Sequence, residues 1–119
     1  MTEYMTGGVA LLDRVEPIWL SLREHHIQCS PFFSSELANS EFAERRKELL
    51  KKANCGTLHV VIARQQHNDI GYIICSCVED KGEIDSLFVI ASQRGKGIGA
   101  ELTRRGLAWL ARINHRKKT

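Results

Sequence analysis

Six consecutive residues, Arg94, Gly95, Lys96, Gly97, Ile98 and Gly99, carry the densest chemical signal in the chain. Alternating glycines let backbone N–H groups approach an anion, because no Cβ stands in the way and positive φ is tolerated. The run follows an apolar, β-prone stretch from Leu87 to Ile90 and a short polar turn, and a helical pattern then begins. Strand, glycine loop and helix N-terminus in that order present unpaired amides to a ligand. With Arg94 and Lys96 among the glycines, the expected ligand is phosphorylated. The competing reading is a plain structural turn.

Two familiar phosphate loops do not fit. A Walker-type loop needs four residues between its first Gly and a Gly-Lys-Ser/Thr, and no such run exists here. The dinucleotide fingerprint is Gly-x-Gly-x-x-Gly, whereas Gly95, Gly97 and Gly99 alternate strictly. Read from its arginine, the pattern is Arg-x-x-Gly-x-Gly, fixed at Arg94, Gly97 and Gly99.

That pattern resembles the pyrophosphate loop with which the GNAT superfamily of N-acetyltransferases holds acetyl-coenzyme A. The flanks agree: Leu87 and Val89 form the Leu-x-Val strand end, and Leu102 follows the glycines. Ala91 stands where the family often has proline. The resemblance implies a cofactor site at Leu87, Phe88, Val89, Arg94, Gly95, Lys96, Gly97, Ile98, Gly99 and Ala100. The amides of Arg94 to Ala100 would hold phosphates, and those around Leu87 to Val89 would face the developing oxyanion. It also implies an amine acceptor, a small molecule or a peptide. An alkylammonium must lose a proton before it can attack. By position relative to Val89, Glu83 matches the general base of some family members, with Asp85 a weaker candidate. The alternative is that both are exposed strand charges. The tyrosine that protonates the leaving thiolate in many members has no counterpart, since Tyr4 and Tyr72 are placed elsewhere.

Stepping outward, the chain has 119 residues, 43% hydrophobic and 26% charged, and is read as a single domain over 1–119. A chain of this size buries about two-thirds of its unfolded surface, enough for a core. Without a membrane-length apolar run or signal-peptide core, a cytoplasmic setting is expected. The net charge of +3 draws on Arg112, Arg116, Lys117 and Lys118 near the end. Such cations suit a helix C-terminus, and no RNA-binding pattern of aromatics and glycines accompanies them, so nucleic acid is not the expected partner. Cys29, Cys55, Cys75 and Cys77 form no Cys-x-x-Cys pair. Cys75 and Cys77 read as small core residues, and no metal is expected.

The elements follow from period. Gly8 to Leu12 reads as a first strand. A helix follows, starting either at a capping box of Asp13 and Glu16 or, because Pro17 prefers the first helical position, nearer Glu16; it buries Val15, Ile18, Trp19 and Leu22 and ends at His25 and His26. Cys29 to Ser40 reads as a loop holding Phe32 and Phe33. The resemblance makes those two an acceptor-site wall; core plugs under a loop are the equal alternative. Ser40 to Ala53 is a second helix, capped by Ser40 and closed by Lys51 and Lys52. Strands over Leu58–Ala63, Ile70–Val78 and Glu83–Ile90 form a meander, and the loop leads to a helix with Leu102, Gly106, Leu110 and Ile113 on one face.

This order matches the first two-thirds of the GNAT fold. The expectation is an α+β, three-layer protein with a mixed, mostly antiparallel sheet, helices on both faces and the C-terminal strands missing. Truncation, a minimal fold, or a homo-oligomer whose neighbour supplies the missing wall would each account for the shortfall. A noncatalytic acyl-coenzyme A-binding module is the alternative function.

Overall fold

The computed structural model describes residues 2–29, 35–93 and 95–117, with side chains described outside 21–42, 91 and 114–117. Its elements run β1 (Thr2–Gly7), a 3-10 turn (Val9–Leu11), α1 (Leu12–Cys29), α2 (Ser35–Cys55), β2 (Thr57–Gln65), β3 (Asn68–Val78), β4 (Lys81–Val89), a second 3-10 turn (Ala91–Gln93) and α3 (Ile98–Lys117). The strands form one sheet in the order β1-β2-β3-β4, and every neighbouring pair is antiparallel. No helix among the described residues is long and apolar enough to cross a membrane.

Two-residue alternation on β2 and β3 builds a core on each face of the sheet. On one face Leu58, Val60, Ile62, Tyr72, Ile74 and Phe88 pack against Leu12, Val15, Ile18 and Trp19 of α1 and Leu49 of α2. On the other, Val61, Ala63, Ile73, Cys75, Cys77 and Val89 pack against Ile98, Leu102 and Trp109 of α3. The middles of both central strands, residues 60–63 and 70–75, are therefore almost free of polar side chains, as a sheet covered on both faces requires. Cys75 and Cys77 are buried and form no disulfide, consistent with their reading as core residues. Burial, followed by the nearby charge of Asp85, pushes the Cys75 thiol up to about 11.

Several boundaries differ from the sequence reading. The first strand is Thr2–Gly7, and Leu11 and Leu12 turn into the helical region. That edge strand mixes Thr, Glu, Tyr and Met, so its periodicity is weak, while the apolar run after it is the α1 anchor. α1 begins at Leu12 and carries Pro17 inside it; tertiary packing of Leu12 and Val15, both fully buried, holds the turn that proline alone would start later. It also runs past His25 and His26 to Cys29. α2 starts at Ser35 rather than Ser40, since Glu36, Leu37 and Ala38 favour helix over the turn suggested by the serines. Finally, the strand hairpins are tighter than read. Only Gln66 and His67 separate β2 from β3, and only Glu79 and Asp80 separate β3 from β4, all four with positive φ. Positive φ at both central residues matches the right-handed twist of a hairpin.

Candidate active site

The loop is held open by its backbone. Gly95 and Gly97 have φ of 82° and 81°, the left-handed region that costs any residue with a Cβ. A Cβ placed on either meets nothing within 4 Å, so the loop faces free space. Behind it, the Ile98 side chain is 4% exposed and anchors the turn in the α3-face core. The first ladder bond of α3 runs from the Glu101 N–H to the Gly97 carbonyl at 3.0 Å. The amides of Ile98, Gly99 and Ala100 thus precede the ladder, at the positive end of the helix dipole. Exposed Lys96 donates to Gln93 Oε1 at 3.2 Å. Arg94 lies outside the described residues.

One carboxylate sits in the first turn of α3, yet it is turned to cations on its own helix. Arg104 donates to Glu101 at 3.0 Å and Arg105 at 2.7 Å. The Arg104 hydrogen bond, with Arg105 behind it, holds the Glu101 carboxyl down at about 2. Arg105 also lies 4.3 Å over the Tyr4 ring, tying β1 to α3. Amides ahead of the helix ladder, a lysine and a carboxylate paired to two arginines suit a diphosphate.

β4 leads into this loop with a fixed polarity. The Ile90 N–H donates to the Ile70 carbonyl at 2.9 Å. Bonding direction alternates along an antiparallel strand, and the register places Phe88 opposite Tyr72 and Leu87 opposite Ile73. The Phe88 N–H therefore turns inward to β3, while those of Leu87 and Val89 turn to the outer edge. Among the described residues no strand covers that edge. Of the three strand residues in the expected cofactor site, Leu87 and Val89 direct their amides away from β3. Phe88 is buried, its ring 6.4 Å from that of Tyr72.

At the far end of β4 a second cluster forms. The register steps from Ile74–Ser86 to Cys75–Ile84, leaving Asp85 as the extra residue of a β-bulge. Lys52, from the last turn of α2, donates to both Glu83 and Asp85. The two carboxylates share one side of the strand, where both meet Lys52. Their exposures differ sharply: the Glu83 side chain is 58% exposed and that of Asp85 2%. Arg45 of α2 donates to the Asp85 main-chain carbonyl. Hydrogen bonding and charge from Lys52 hold the Glu83 carboxyl below the usual glutamate range. Burial acts to lower the Lys52 ammonium, but its bonds to Asp85 and Glu83 outweigh that and hold it above the ordinary lysine value. Next to the bulge, the Tyr72 hydroxyl and Ser86 Oγ are 2.9 Å apart.

The structure thus brings the loop and the Leu87–Val89 edge together and sets Glu83 at the opposite end of the same strand. Phe32 and Phe33, the expected acceptor wall, lie outside the described residues. Lys52 was read only as a helix-ending cation, and Asp85 only as a weaker base. The pairing of α2 with a bulge leaves no mark in local periodicity.

Comparison with known proteins agrees with this geometry. Residues 19–118 match the acetyltransferase (GNAT) family. No curated protein matches the chain. Among solved structures, PaiA N-acetyltransferase from Thermoplasma acidophilum, in complex with coenzyme A, is similar at 17% identity with a TM-score of 0.69, covering 95% of this chain and 74% of that one. A GCN5-related N-acetyltransferase from Ralstonia eutropha JMP134 is similar at 17% identity and a TM-score of 0.66, covering 95% and 78%. AAC(6')-Iy in complex with a bisubstrate analogue, CoA-S-monomethyl-acetylneamine, follows at 16% identity and a TM-score of 0.54, covering 95% and 74%. At these identities the likeness is one of fold, and the family match supplies the rest: the chain belongs to the GNAT family of acetyltransferases.

Proposed function

We propose that this chain, read as one domain over 1–119, transfers an acetyl group from acetyl-coenzyme A to a primary amine by direct attack. The observation that carries the reading is the open glycine loop, whose amides from Ile98 to Ala100 stand unpaired by the helix ladder. They and Lys96 would bind the diphosphate, with Arg94 adding charge. The outward N–H of Leu87 or Val89 would donate to the thioester oxygen as negative charge develops there. Glu83 would take the proton, directly or through water, from the acceptor ammonium. The neutral amine forms the C–N bond, the C–S bond breaks, and the leaving thiolate takes up, through solvent, the proton that the acylated nitrogen releases.

A small-molecule amine acceptor is supported by the bisubstrate complex of AAC(6')-Iy, a protein of the same fold. A cytoplasmic setting goes with this reading, because Cys55, Cys75 and Cys77 form no disulfide, which suits a reducing compartment. The test is calorimetric titration with acetyl-coenzyme A, followed by thiol-release assays over a panel of amines. Binding with turnover supports the transferase. Binding without turnover on any amine supports the second reading, a noncatalytic acyl-coenzyme A-binding module. That reading draws on the engagement of Glu83 by Lys52, which occupies the carboxylate a catalyst would need.

A further inference from the structure

We propose that Lys52 is a positioning residue, which fixes the Glu83 carboxylate in its ionised form against the β4 bulge. This rests on the assignment of Glu83 as the base, and its test separates the two.

The geometry is a three-group chain between two elements. Lys52 reaches from the end of α2 and donates to Glu83 and Asp85 together. Asp85 is the bulged residue, its side chain 2% exposed, and its Oδ2 has no hydrogen-bond partner. A carboxylate that deeply buried demands a cation, and Lys52 is the cation in contact with it. Lys52 is therefore anchored by Asp85 and not free to wander, although its own side chain is 30% exposed. Exposed Glu83 then docks on an ammonium that is already held. An isolated surface pair would fix little; a pair anchored on a buried partner fixes direction.

The bulge gives the arrangement its position. It puts Asp85 and Ser86 in succession toward the α1–α2 side, shown by the Lys52 bond of one and the Tyr72 bond of the other. Arg45 takes the Asp85 carbonyl and pins the bulge from α2. The groups facing Glu83 are Lys52 and Arg45 from α2 and Asp85 from its own strand. Ser76, opposite Glu83 on β3, does not titrate in this range. Two cations against one neighbouring carboxylate favour the charged form of Glu83. The base is then ready to receive a proton at acidities where a free glutamate is partly protonated.

The experiment is a pH titration of the Glu83 side-chain carboxyl by carbon NMR on the full chain without ligand, for wild type, Lys52→Met and Lys52→Arg. Lys52→Met is expected to raise the Glu83 midpoint to the ordinary glutamate range, and Lys52→Arg to keep it low. Since Lys52→Met strands the buried Asp85 charge, the double variant Lys52→Met/Asp85→Asn is measured as well, with the same rise expected. An unchanged Glu83 midpoint in both Met variants overturns the proposal. The acid limb of kcat/KM is then recorded for the same proteins. If it moves with the NMR midpoint, both assignments stand. If the midpoint moves and the limb does not, the Lys52 lock stands and Glu83 is not the base.

Discussion

The Ile90 N–H bonds to the Ile70 carbonyl at 2.9 Å, and this one contact orients the outer edge of β4 from Ser86 to Val89, beyond the bulge. By alternation it sends the Phe88 amide into the sheet and the Leu87 and Val89 amides out of it. Proline substitution reads this polarity directly. Leu87→Pro removes an outward N–H that no strand pairs, a position where sheets tolerate proline. The fold should survive by circular dichroism, while kcat falls by about 10²–10³-fold as for a lost oxyanion donor. Phe88→Pro should instead unfold the protein, because it breaks the ladder to Tyr72. Equal effects from the two would refute the polarity.

Gly97 has φ of 81°. Gly97→Ala should cost roughly 1–2 kcal/mol of stability, read by denaturant melts. Gly97→Asp adds a negative charge beside the amides of α3 and should abolish acetyl-coenzyme A binding. Calorimetry showing wild-type affinity for Gly97→Asp would remove the loop assignment.

Glu83→Gln should lower kcat by about 10²–10⁴-fold with little change in cofactor affinity. The pH profile follows from the direction of its shift. Lys52 holds the folded-state carboxyl low, so the ionised base persists below the ordinary glutamate pKa. Activity should fall only as the pH drops through that lowered value. A limb at or above the range of free glutamate contradicts the role.

His59 stacks on Trp109 with ring centroids 4.8 Å apart and planes 6° from parallel. Burial, then the charge of Arg112, lowers its pKa. The folded state thus favours neutral imidazole, and the unfolded chain binds more protons between the two pKa values. Stability should rise with pH through that window, below about 6.5. Thermal melts followed by Trp109 fluorescence should show this rise in wild type and a smaller one in His59→Phe.

Gly106 lets α3 approach the sheet, since a Cβ there would lie 2.8 Å from Ile73 Cδ1 and 2.9 Å from Cys75 Sγ. Gly106→Leu should therefore cost about 1–3 kcal/mol by overpacking, measured by urea unfolding. Unchanged stability would mean that α3 shifts freely on the sheet.

Much of this was legible in the chain itself. The glycine loop could be placed because strand, turn residues and helix onset are all local, and local signals survive in sequence order. The meander was visible for the same reason: β2, β3 and β4 are consecutive apolar runs, and β2 and β3 are buried on both faces. The edge strand β1 escaped because one half-exposed side imposes little periodicity on Thr2 to Gly7. The start of α1 was left open because Pro17 signals a boundary locally, while Leu12 and Val15 extend the helix before it by packing against the sheet.

What the residue order determined by itself was the family, the order of elements and the glycine-rich loop, since each depends on neighbours within a few positions. Only the tertiary structure decided which β4 amides face outward and which cation meets Glu83. Lys52 and Asp85 are 33 positions apart and meet only because α2 packs on the sheet beside a one-residue bulge. Such a meeting is fixed by register and helix placement, and neither is written in the local pattern of side chains.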